Sequence, residues 1–269
     1  MTLQEKKRKL EDDLRALGSA AVAFSAGVDS TFLLKTAHDV LGDRAVAVTV
    51  RSVFCPARET AEAAAFCAAE GIRQIVLDAP VLEIPGVAAN PPDRCYLCKR
   101  ELFTRISETA RSLGLAAVAE GSNTDDLGDY RPGMRAVAEL GIKSPLLSAG
   151  LGKKEIRELS RELGLPTWDK PSFACLASRI ASGETITAEK LSAVEKAEER
   201  LLELGLRQMR VRVHGDLARI EVPPEDFPRL MGEGIPEKLD RELRALGFRF
   251  VTLDLGGYRT GSMNPVGRD

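Results

Sequence analysis

Short apolar runs alternate with amphipathic stretches throughout the first half of the chain. The apolar runs predict four strands, at residues 20–24, 44–50, 73–78 and 116–120. The stretches beside them repeat apolar residues at helical spacing and predict helices at 4–17, 31–41, 56–70 and 101–113. Nearly continuous apolar strands separated by helices are typical of a parallel sheet with both faces buried. The sequence therefore predicts an α/β fold built on a doubly wound parallel sheet.

The order of elements changes in the second half. A helix is predicted at 152–163, and the segment 168–183, which contains Cys175, shows no periodicity. A helix–strand–strand–helix–strand order follows, predicted at 188–204, 208–214, 218–222, 236–246 and 249–253. This order indicates a small separate α+β domain that starts within 176–187. We therefore expect two domains, residues 1–175 and 176–269.

The composition excludes several classes of protein. The chain has 269 residues, 44% of them hydrophobic, and a net charge of −2 at pH 7. This charge balance gives no sign of the basic surface that long nucleic acids require. No apolar run approaches the roughly 18–20 residues of a membrane span, and the N-terminal residues are too charged for a secretory signal. We expect a cytoplasmic protein that does not bind membranes.

The cysteines are candidates for chemistry rather than for disulfides. Five of them, an odd number, argue against a disulfide framework in a chain of this length. Cys95 and Cys98 form a C-x-x-C pair, whose spacing lets two thiolates bind one metal ion or cluster; a thioredoxin-type redox pair is the alternative. Cys175 is the candidate third ligand, and three thiolates on a [4Fe–4S] cluster leave one iron to carry an exogenous sulfide. Cys67 is interpreted as a buried structural residue, and Cys55 as one that could approach the site.

The loop after the first predicted strand is Ser25-Ala-Gly-Val-Asp-Ser30. It lies between the carboxyl end of a strand and the start of a helix, where doubly wound folds bind ligands. Small residues let its backbone N–H groups and the helix dipole face a phosphate. The loop lacks the Gly-Lys-Ser/Thr ending of a Walker A motif, and its alternative interpretation is a helix capped by Asp29 or Ser30.

This loop resembles the pyrophosphate loop, Ser-Gly-Gly-x-Asp-Ser, of the ATP pyrophosphatase (PP-loop) superfamily. The resemblance implies that four residues bind ATP, with the aspartate acting through Mg²⁺: Ser25, Gly27, Asp29 and Ser30. Ala26 stands where the superfamily usually has glycine. If this position needs a positive φ, alanine costs on the order of 1 kcal/mol and weakens nucleotide occupancy.

A second motif follows the fourth predicted strand, on the same edge of the sheet. Gly121-Ser-Asn123 also resembles the superfamily, which implies that Gly121 and Asn123 line the nucleotide site. The alternative is a turn rich in Asn and Asp with no ligand. Lys153, in Gly-Lys-Lys-Glu-Ile-Arg, is interpreted as a solvated helix residue.

Motifs spread over nearly the whole chain resemble the LarE family, ATP-dependent sulfur transferases that make the organic part of the nickel-pincer cofactor of lactate racemase. They lie at residues 24–34, 93–99, 121–125, 171–180, 210–215 and 257–264, and the Cys175 segment is the most diagnostic. The resemblance implies adenylation of a carboxylate on a pyridinium biscarboxylate mononucleotide, with release of pyrophosphate. A sulfur nucleophile then displaces AMP and leaves a thiocarboxylate. It also implies a homo-oligomer.

The resemblance allows two sources of sulfur. In one version Cys175 donates its own sulfur and becomes dehydroalanine. In the other, Cys95, Cys98 and Cys175 hold a [4Fe–4S] cluster whose extra sulfide is transferred. Because Cys95 and Cys98 are present, the resemblance implies the cluster version. Arg179, four residues after Cys175, is expected beside the substrate or adenylate as a catalytic residue.

An anionic substrate needs positively charged ligands, and the second domain offers candidates. Arg210, Arg212 and His214 alternate along a predicted strand and therefore share one face. The resemblance makes Arg210 and Arg212 the expected phosphate ligands, whereas the pattern alone allows a solvent-facing polar edge equally well. Three glutamates of the preceding helix are interpreted as a solvated face, with metal or substrate contact as the minority alternative: Glu195, Glu198 and Glu199.

Three rival functions remain open at the sequence level. A PP-loop tRNA thiolation enzyme also combines this loop with three cysteines, but the acidic balance and the single C-x-x-C pair weigh against tRNA binding. A nucleotide-sensing or metal-binding protein without turnover is suggested only by Ala26. An ammonia-dependent amidating synthetase would give no role to the three cysteines.

Overall fold

A computed structural model describes residues 1–128, 132–259 and 261–263 of the chain. Contacts between Cα atoms divide the chain into two compact units. The first comprises Met1–Pro80 and Cys95–Phe173, and the second comprises Val81–Arg94 and Ala174–Asp269. The second unit thus includes residues 81–94, which the predicted domains place with the first half of the chain. Asn90 explains the placement of this segment, because its side-chain amide donates to the carbonyls of Ile180 and Ala181.

The first unit is built on a four-stranded parallel sheet. Its elements are α1 (Leu3–Leu17), β1 (Ala20–Ala23), α2 (Val28–Leu41), β2 (Ala45–Arg51), α3 (Ala57–Glu70), β3 (Gln74–Asp78), α4 (Arg94–Ser112), β4 (Ala117–Ala119), α5 (Gly133–Glu139), α6 (Pro145–Ser148) and α7 (Lys153–Glu162). The strand order is β3-β2-β1-β4, and every neighbouring pair is parallel. β2 and β3 follow each other on one side of β1, whereas β4 lies on its other side, so the strand order reverses between β1 and β4.

Alternate residues of β1 are buried on opposite faces of this sheet. Ala20 and Val22 of β1 pack into a core that contains apolar side chains of α1, α2, α3 and α7. Ala21, between them, packs into a second core with Phe103 and Ile106 of α4. Both faces are covered because successive side chains of a strand point in opposite directions. The predicted α/β fold with a buried parallel sheet is confirmed.

One helix begins earlier than its sequence pattern predicts. The structure starts α4 at Arg94, seven residues before the predicted start, so Cys95 and Cys98 lie in the first two turns of the helix. Pro91 and Asp93 were an available signal, because proline and acidic residues are favoured where a helix begins. The carbonyl of Pro91 accepts a hydrogen bond from the Arg94 N–H at 2.9 Å.

The second unit has a three-stranded sheet with helices packed on it. Its elements are a 3₁₀ turn (Leu176–Arg179), α8 (Ala188–Glu203), β5 (Arg210–His214), β6 (Leu217–Glu221), α9 (Phe227–Leu230), α10 (Ile235–Ala245) and β7 (Phe250–Leu253). β5 and β6 form an antiparallel hairpin, and β7 joins β6 in parallel. Gly215 has a φ of 61° in the hairpin turn, a conformation that glycine adopts without steric strain. The predicted order of elements is confirmed.

Among the described helices, none is long and apolar enough to cross a membrane.

Candidate active site

The loops that follow β1 and β4 emerge at the carboxyl edge of the sheet, where the strand order reverses. In doubly wound sheets this reversal opens a crevice that binds ligands. Ser25–Ser30 follows β1, and Glu120–Asn123 follows β4, which is hydrogen-bonded to β1. The two predicted nucleotide motifs are therefore side by side.

The loop after β1 is held by its own serines. The Ser25 N–H donates to Ser30 Oγ at 3.3 Å, and the two hydroxyls are 3.1 Å apart. Ser30 Oγ in turn donates to the Gly27 carbonyl at 3.2 Å. Ala26, which lies between Ser25 and Gly27, has a φ of 54°, in the left-handed region that favours glycine. The positive φ on which the sequence-based concern depended is therefore present, whereas weaker nucleotide occupancy stays a prediction.

The first turn of α2 has backbone donors that no side chain caps. Its N-cap is Gly27, and no side chain of the described residues caps it. The first N–H groups of a helix have no acceptor within the helix and carry the positive end of its dipole. The arrangement is suited to an anion, and the alternative of a helix capped by Asp29 or Ser30 is wrong.

Asp29 lies on this first turn and is paired with a lysine from another element. Its Oδ2 is 3.0 Å from Nζ of Lys153, the first residue of α7. Its Oδ1 is buried and has no hydrogen-bond partner among the described residues. A buried carboxylate oxygen without a donor is a candidate ligand for a cation. Lys153, interpreted from the sequence as a solvated helix residue, is instead part of the site.

Gly121 allows the two loops to approach closely. A Cβ built on Gly121 would lie 3.1 Å from the Ser30 nitrogen and 3.3 Å from the Asp29 carbonyl carbon. Both are backbone atoms that cannot swing away. The position therefore requires glycine for a close approach and not for an unusual φ.

Glu120, which the sequence did not single out, anchors the loop after β4. Its buried carboxylate accepts hydrogen bonds from the Ser122 N–H, the Ser122 hydroxyl and the Ser144 hydroxyl, at 3.1, 2.8 and 2.5 Å. A buried carboxylate must be well hydrogen-bonded to stay charged. The signal in the sequence was an ionisable residue at the end of an otherwise apolar strand.

Asn123 is fixed on one side and free on the other. Its Oδ1 accepts from the Asp125 N–H, and its own N–H donates to Asp126 Oδ2, both at 3.0 Å. Its side-chain Nδ2 is buried and has no acceptor within the described part of the chain. The interpretation of a turn without a ligand leaves this donor unexplained, whereas a nucleotide acceptor would satisfy it.

The cysteines of the first unit fall into two groups. Cys95 and Cys98 are partly buried and lie about one turn apart on α4. Cys55 is also partly buried, and its Sγ accepts from the Ser52 hydroxyl at 3.8 Å. Cys67 is buried in the core, and burial raises the pKa of its thiol to about 11, so its structural role is confirmed.

In the part of the chain that the structure describes, no group of three or more His, Cys, Asp or Glu side chains is arranged to hold a metal ion. Cys95 and Cys98 have the separation of a ligand pair on a helix, which fits two positions of a cluster. The three-thiolate site with Cys175 stays a prediction.

Cys175 precedes the 3₁₀ turn of the second unit, and Arg179 ends that turn. The Arg179 guanidinium is fully buried and forms two bonds with Glu198, Nε to Oε1 and Nη2 to Oε2, both at 2.9 Å. Its Nη1 donates to the carbonyls of Ala174 and Cys175. Arg179 therefore holds the backbone on which Cys175 is carried.

The interpretation of Glu198 as solvated is wrong. Glu198 is 1% exposed and also accepts a bond from the Val211 N–H at 3.1 Å. A buried guanidinium requires a buried counter-charge, and helical spacing alone does not reveal that requirement. Glu199 is exposed and Glu195 is partly buried.

Arg210 and Arg212 are buried, so the alternative of a solvent-facing edge is wrong. Arg212 pairs with Glu221 at 2.9 Å and donates to the Ser178 carbonyl and to the Ser262 hydroxyl. The Arg210 guanidinium lies 5.1 Å from the centre of the Tyr258 ring. Burial, with the nearby Arg179 charge, lowers the pKa of Arg210 to about 10, so it remains protonated at neutral pH.

His214 completes this face of β5. Burial and the neighbouring Arg219 charge lower its pKa. Of the predicted motif at 257–264, Thr260 and Asn264 lie outside the described residues.

Comparison with known proteins identifies the family of the chain. No family model matches the chain. An uncharacterized protein of Synechocystis sp. is 43% identical over 264 residues, which are 98% of this chain and 98% of that protein. The pyridinium-3,5-bisthiocarboxylic acid mononucleotide synthase of Lactiplantibacillus plantarum is 38% identical over 264 residues, 98% of this chain and 95% of the synthase. The chain belongs to the LarE family.

More distant relatives of this LarE-family chain agree with its fold. One component of the glutamine-hydrolyzing GMP synthase of Thermoplasma volcanium is 27% identical over 208 residues, 71% of this chain and 66% of that component. Such relatives support membership of the LarE family in the PP-loop superfamily, in agreement with the parallel sheet and the loop after β1.

Proposed function

We propose that this chain is an ATP-dependent sulfur transferase that converts a carboxylate of a pyridinium biscarboxylate mononucleotide into a thiocarboxylate, in the biosynthesis of the nickel-pincer cofactor of lactate racemase. The observation that carries the proposal is a group of features at the edge where the strand order reverses. The N–H groups of the first turn of α2 have no side-chain cap among the described residues, and Asp29, Lys153 and Asn123 lie on the elements around them. The name of the Lactiplantibacillus relative supplies the substrate class.

The first half-reaction uses the carboxyl edge of the first unit. A substrate carboxylate oxygen attacks the α-phosphorus of ATP, the bond to the leaving oxygen breaks, and pyrophosphate departs. Ser25, Gly27 and Ser30 surround the phosphates, and the α2 N–H groups stabilise the charge that develops on the leaving group. Asp29 Oδ1 is the candidate ligand for Mg²⁺, which screens phosphate charge when bound. Gly121 and Asn123 line the nucleotide.

Lys153 would exchange partners in this step. In the structure its ammonium pairs with Asp29 Oδ2 at 3.0 Å. If Asp29 held a Mg²⁺ ion, Lys153 would be able to supply positive charge to the departing pyrophosphate.

The second half-reaction replaces AMP by sulfur at the substrate carbonyl. Cys175, whose backbone Arg179 holds, belongs to this step, and Arg210 and Arg212 supply positive charge for the substrate phosphate. Cys95, Cys98 and Cys175 would hold a [4Fe–4S] cluster, which would provide a transferable sulfide when bound. These residues are proposed as its thiolate ligands.

The alternative keeps the same site and makes Cys175 the donor. Its thiolate attacks the acyl-adenylate, AMP leaves, and a thioester forms. Loss of the Cys175 α-proton and breakage of its Cβ–S bond then release the thiocarboxylate and leave dehydroalanine. A PP-loop tRNA thiolation enzyme remains the rival outside the family function.

One anaerobic experiment separates these sulfur sources. The chain and its Cys98→Ser variant are purified without oxygen and assayed for iron and acid-labile sulfide. Each is then turned over with ATP, Mg²⁺, inorganic sulfide and the pyridinium substrate, with tRNA added in a parallel reaction. We expect cluster stoichiometry that the variant loses, with Cys175 intact after several turnovers. Iron-free protein that stops after one turnover, with Cys175 lighter by one H₂S, would contradict the cluster and support the sacrificial alternative. Thiolated tRNA, with no modified pyridinium product, would contradict the proposed substrate.

A further inference from the structure

Lys170, in the segment that leads into Cys175, contacts the pyrophosphate loop. Nζ of Lys170 donates to the Ala26 carbonyl at 2.9 Å and pairs with Glu62 of α3. The Lys170 side chain is only 18% exposed. All three residues belong to the first unit, so the contact lies within one compact body.

The same segment is fixed along its length. Arg157 of α7 donates to the carbonyls of Trp168 and Lys170, both at 2.7 Å. The Lys170 N–H donates to the Thr167 carbonyl at 3.0 Å. Arg58 of α3 lies 5.0 Å from the centre of the Phe173 ring. Residues 167–173, here called the approach segment, therefore have a defined path that ends two residues before Cys175.

Ala26, which accepts the hydrogen bond from Lys170, has an unusual backbone conformation. Ala26 holds a left-handed φ of 54° although it is 2% exposed and has a side chain. Such a conformation persists only when its surroundings determine it. A charge-assisted hydrogen bond to the Ala26 carbonyl helps to fix the orientation of the Ala26–Gly27 peptide, and through it the donors of the loop.

We propose that Lys170 is a positioning residue that fixes the approach segment, and with it the chain that leads into Cys175, to the pyrophosphate loop, and that sulfur transfer depends on this link. The proposal rests on the proposed function and adds a residue that it does not use. Lys170 acts through Ala26 and the approach segment and does not bind the phosphates. Its loss should therefore impair the second half-reaction far more than the first.

The first test compares the two half-reactions in Lys170→Met. Adenylation is measured as substrate-dependent exchange of labelled pyrophosphate into ATP, and transfer as thiocarboxylate formed per AMP released. We expect exchange within about threefold of wild type and a transfer yield lower by roughly 10- to 100-fold, because small misplacements penalise a reacting group strongly. Lys170→Arg, which keeps the charge and can reach the same carbonyl, should restore part of the yield.

Two matched variants sharpen this test. Lys154→Met removes an exposed lysine of α7 and should change neither half-reaction. Glu62→Gln removes the ion pair but keeps the bond to Ala26, and it should have a smaller effect than Lys170→Met. Equal losses of exchange and transfer in Lys170→Met would make Lys170 a phosphate ligand and overturn the proposal, as would no loss in either.

The second test needs no activity and separates this proposal from the proposed function. Amide hydrogen exchange of the approach segment should accelerate by about fivefold or more in Lys170→Met and stay unchanged in Lys154→Met. Continued protection of α2 amides shows that the variant is folded. If wild type fails to adenylate but the approach segment still loosens in Lys170→Met, the proposed function fails, whereas the link that Lys170 makes between the loop and the approach segment stands. Unchanged exchange in the approach segment would overturn the positioning role.

Discussion

Ala26 brings together three opposing contributions to stability. Its φ of 54° strains an L-residue by roughly 1–2 kcal/mol, a strain that glycine lacks. Its buried methyl group contributes about 0.8 kcal/mol to the core, and alanine also restricts the unfolded chain by about 0.4–1 kcal/mol relative to glycine. The strain and the two compensating terms are similar in size. The sequence raised this question through one departure from the superfamily motif, and backbone geometry was needed to answer it.

Ala26→Gly should consequently leave the free energy of unfolding within about 1 kcal/mol of wild type. Ala26→Val should reduce it by about 2 kcal/mol or more, because a β-branched residue fits a positive φ poorly. Urea unfolding of the three proteins measures both differences. Equal stability of the valine variant would show that residue 26 is not left-handed in solution.

At the scale of elements, the site depends on how closely two loops meet. Gly121 after β4 packs on the backbone of Asp29 and Ser30 at the start of α2, and this contact fixes the spacing of the nucleotide crevice. Periodicity predicted both strands and both loops, because the strands are buried and their apolar runs are short. It missed the start of α4, where the signal was the capping pattern of Pro91 and Asp93 and not a periodic one. It also missed the burial of Glu198, which depends on its partner Arg179 in another element.

Gly121→Ala should lower substrate-dependent pyrophosphate exchange by roughly 10- to 100-fold, because the new methyl group pushes the loop after β4 away from α2. Gly128→Ala is the matched control, since a Cβ there meets no atom within 4 Å among the residues that the structure describes. Steady exchange assays at saturating ATP would measure both. Normal exchange in Gly121→Ala would mean that the crevice tolerates a wider spacing.

Glu198→Gln should destabilise the chain by about 3 kcal/mol, because it leaves the buried Arg179 guanidinium without a counter-charge. Glu199→Gln, on the exposed side of the same helix, should stay within about 0.5 kcal/mol of wild type. Chemical denaturation curves of both variants test the contrast. Similar stabilities for the two would argue against the buried pair.

Across the whole molecule, each unit carries one part of the proposed chemistry. The first unit presents the phosphate loop, Asp29, Lys153 and the C-x-x-C pair, while the second presents Cys175 and the buried arginines. The fold class and the residues of the nucleotide motifs were predictable, because they follow from local patterns and a family resemblance. The roles of Lys153 and Lys170 were not, because an isolated lysine on a helix or loop has no pattern until its partner is known.

In the proposed function, the crevice between the loops after β1 and β4 adenylates a pyridinium carboxylate. This claim is tested by exchange of labelled pyrophosphate into ATP, measured with and without pyridinium biscarboxylate mononucleotide. We predict exchange that requires the substrate and falls by about 100-fold or more in Asp29→Asn and about 10-fold or more in Lys153→Met, with Lys154→Met unchanged. Absence of exchange with the substrate, or exchange that Asp29→Asn leaves intact, would contradict the claim.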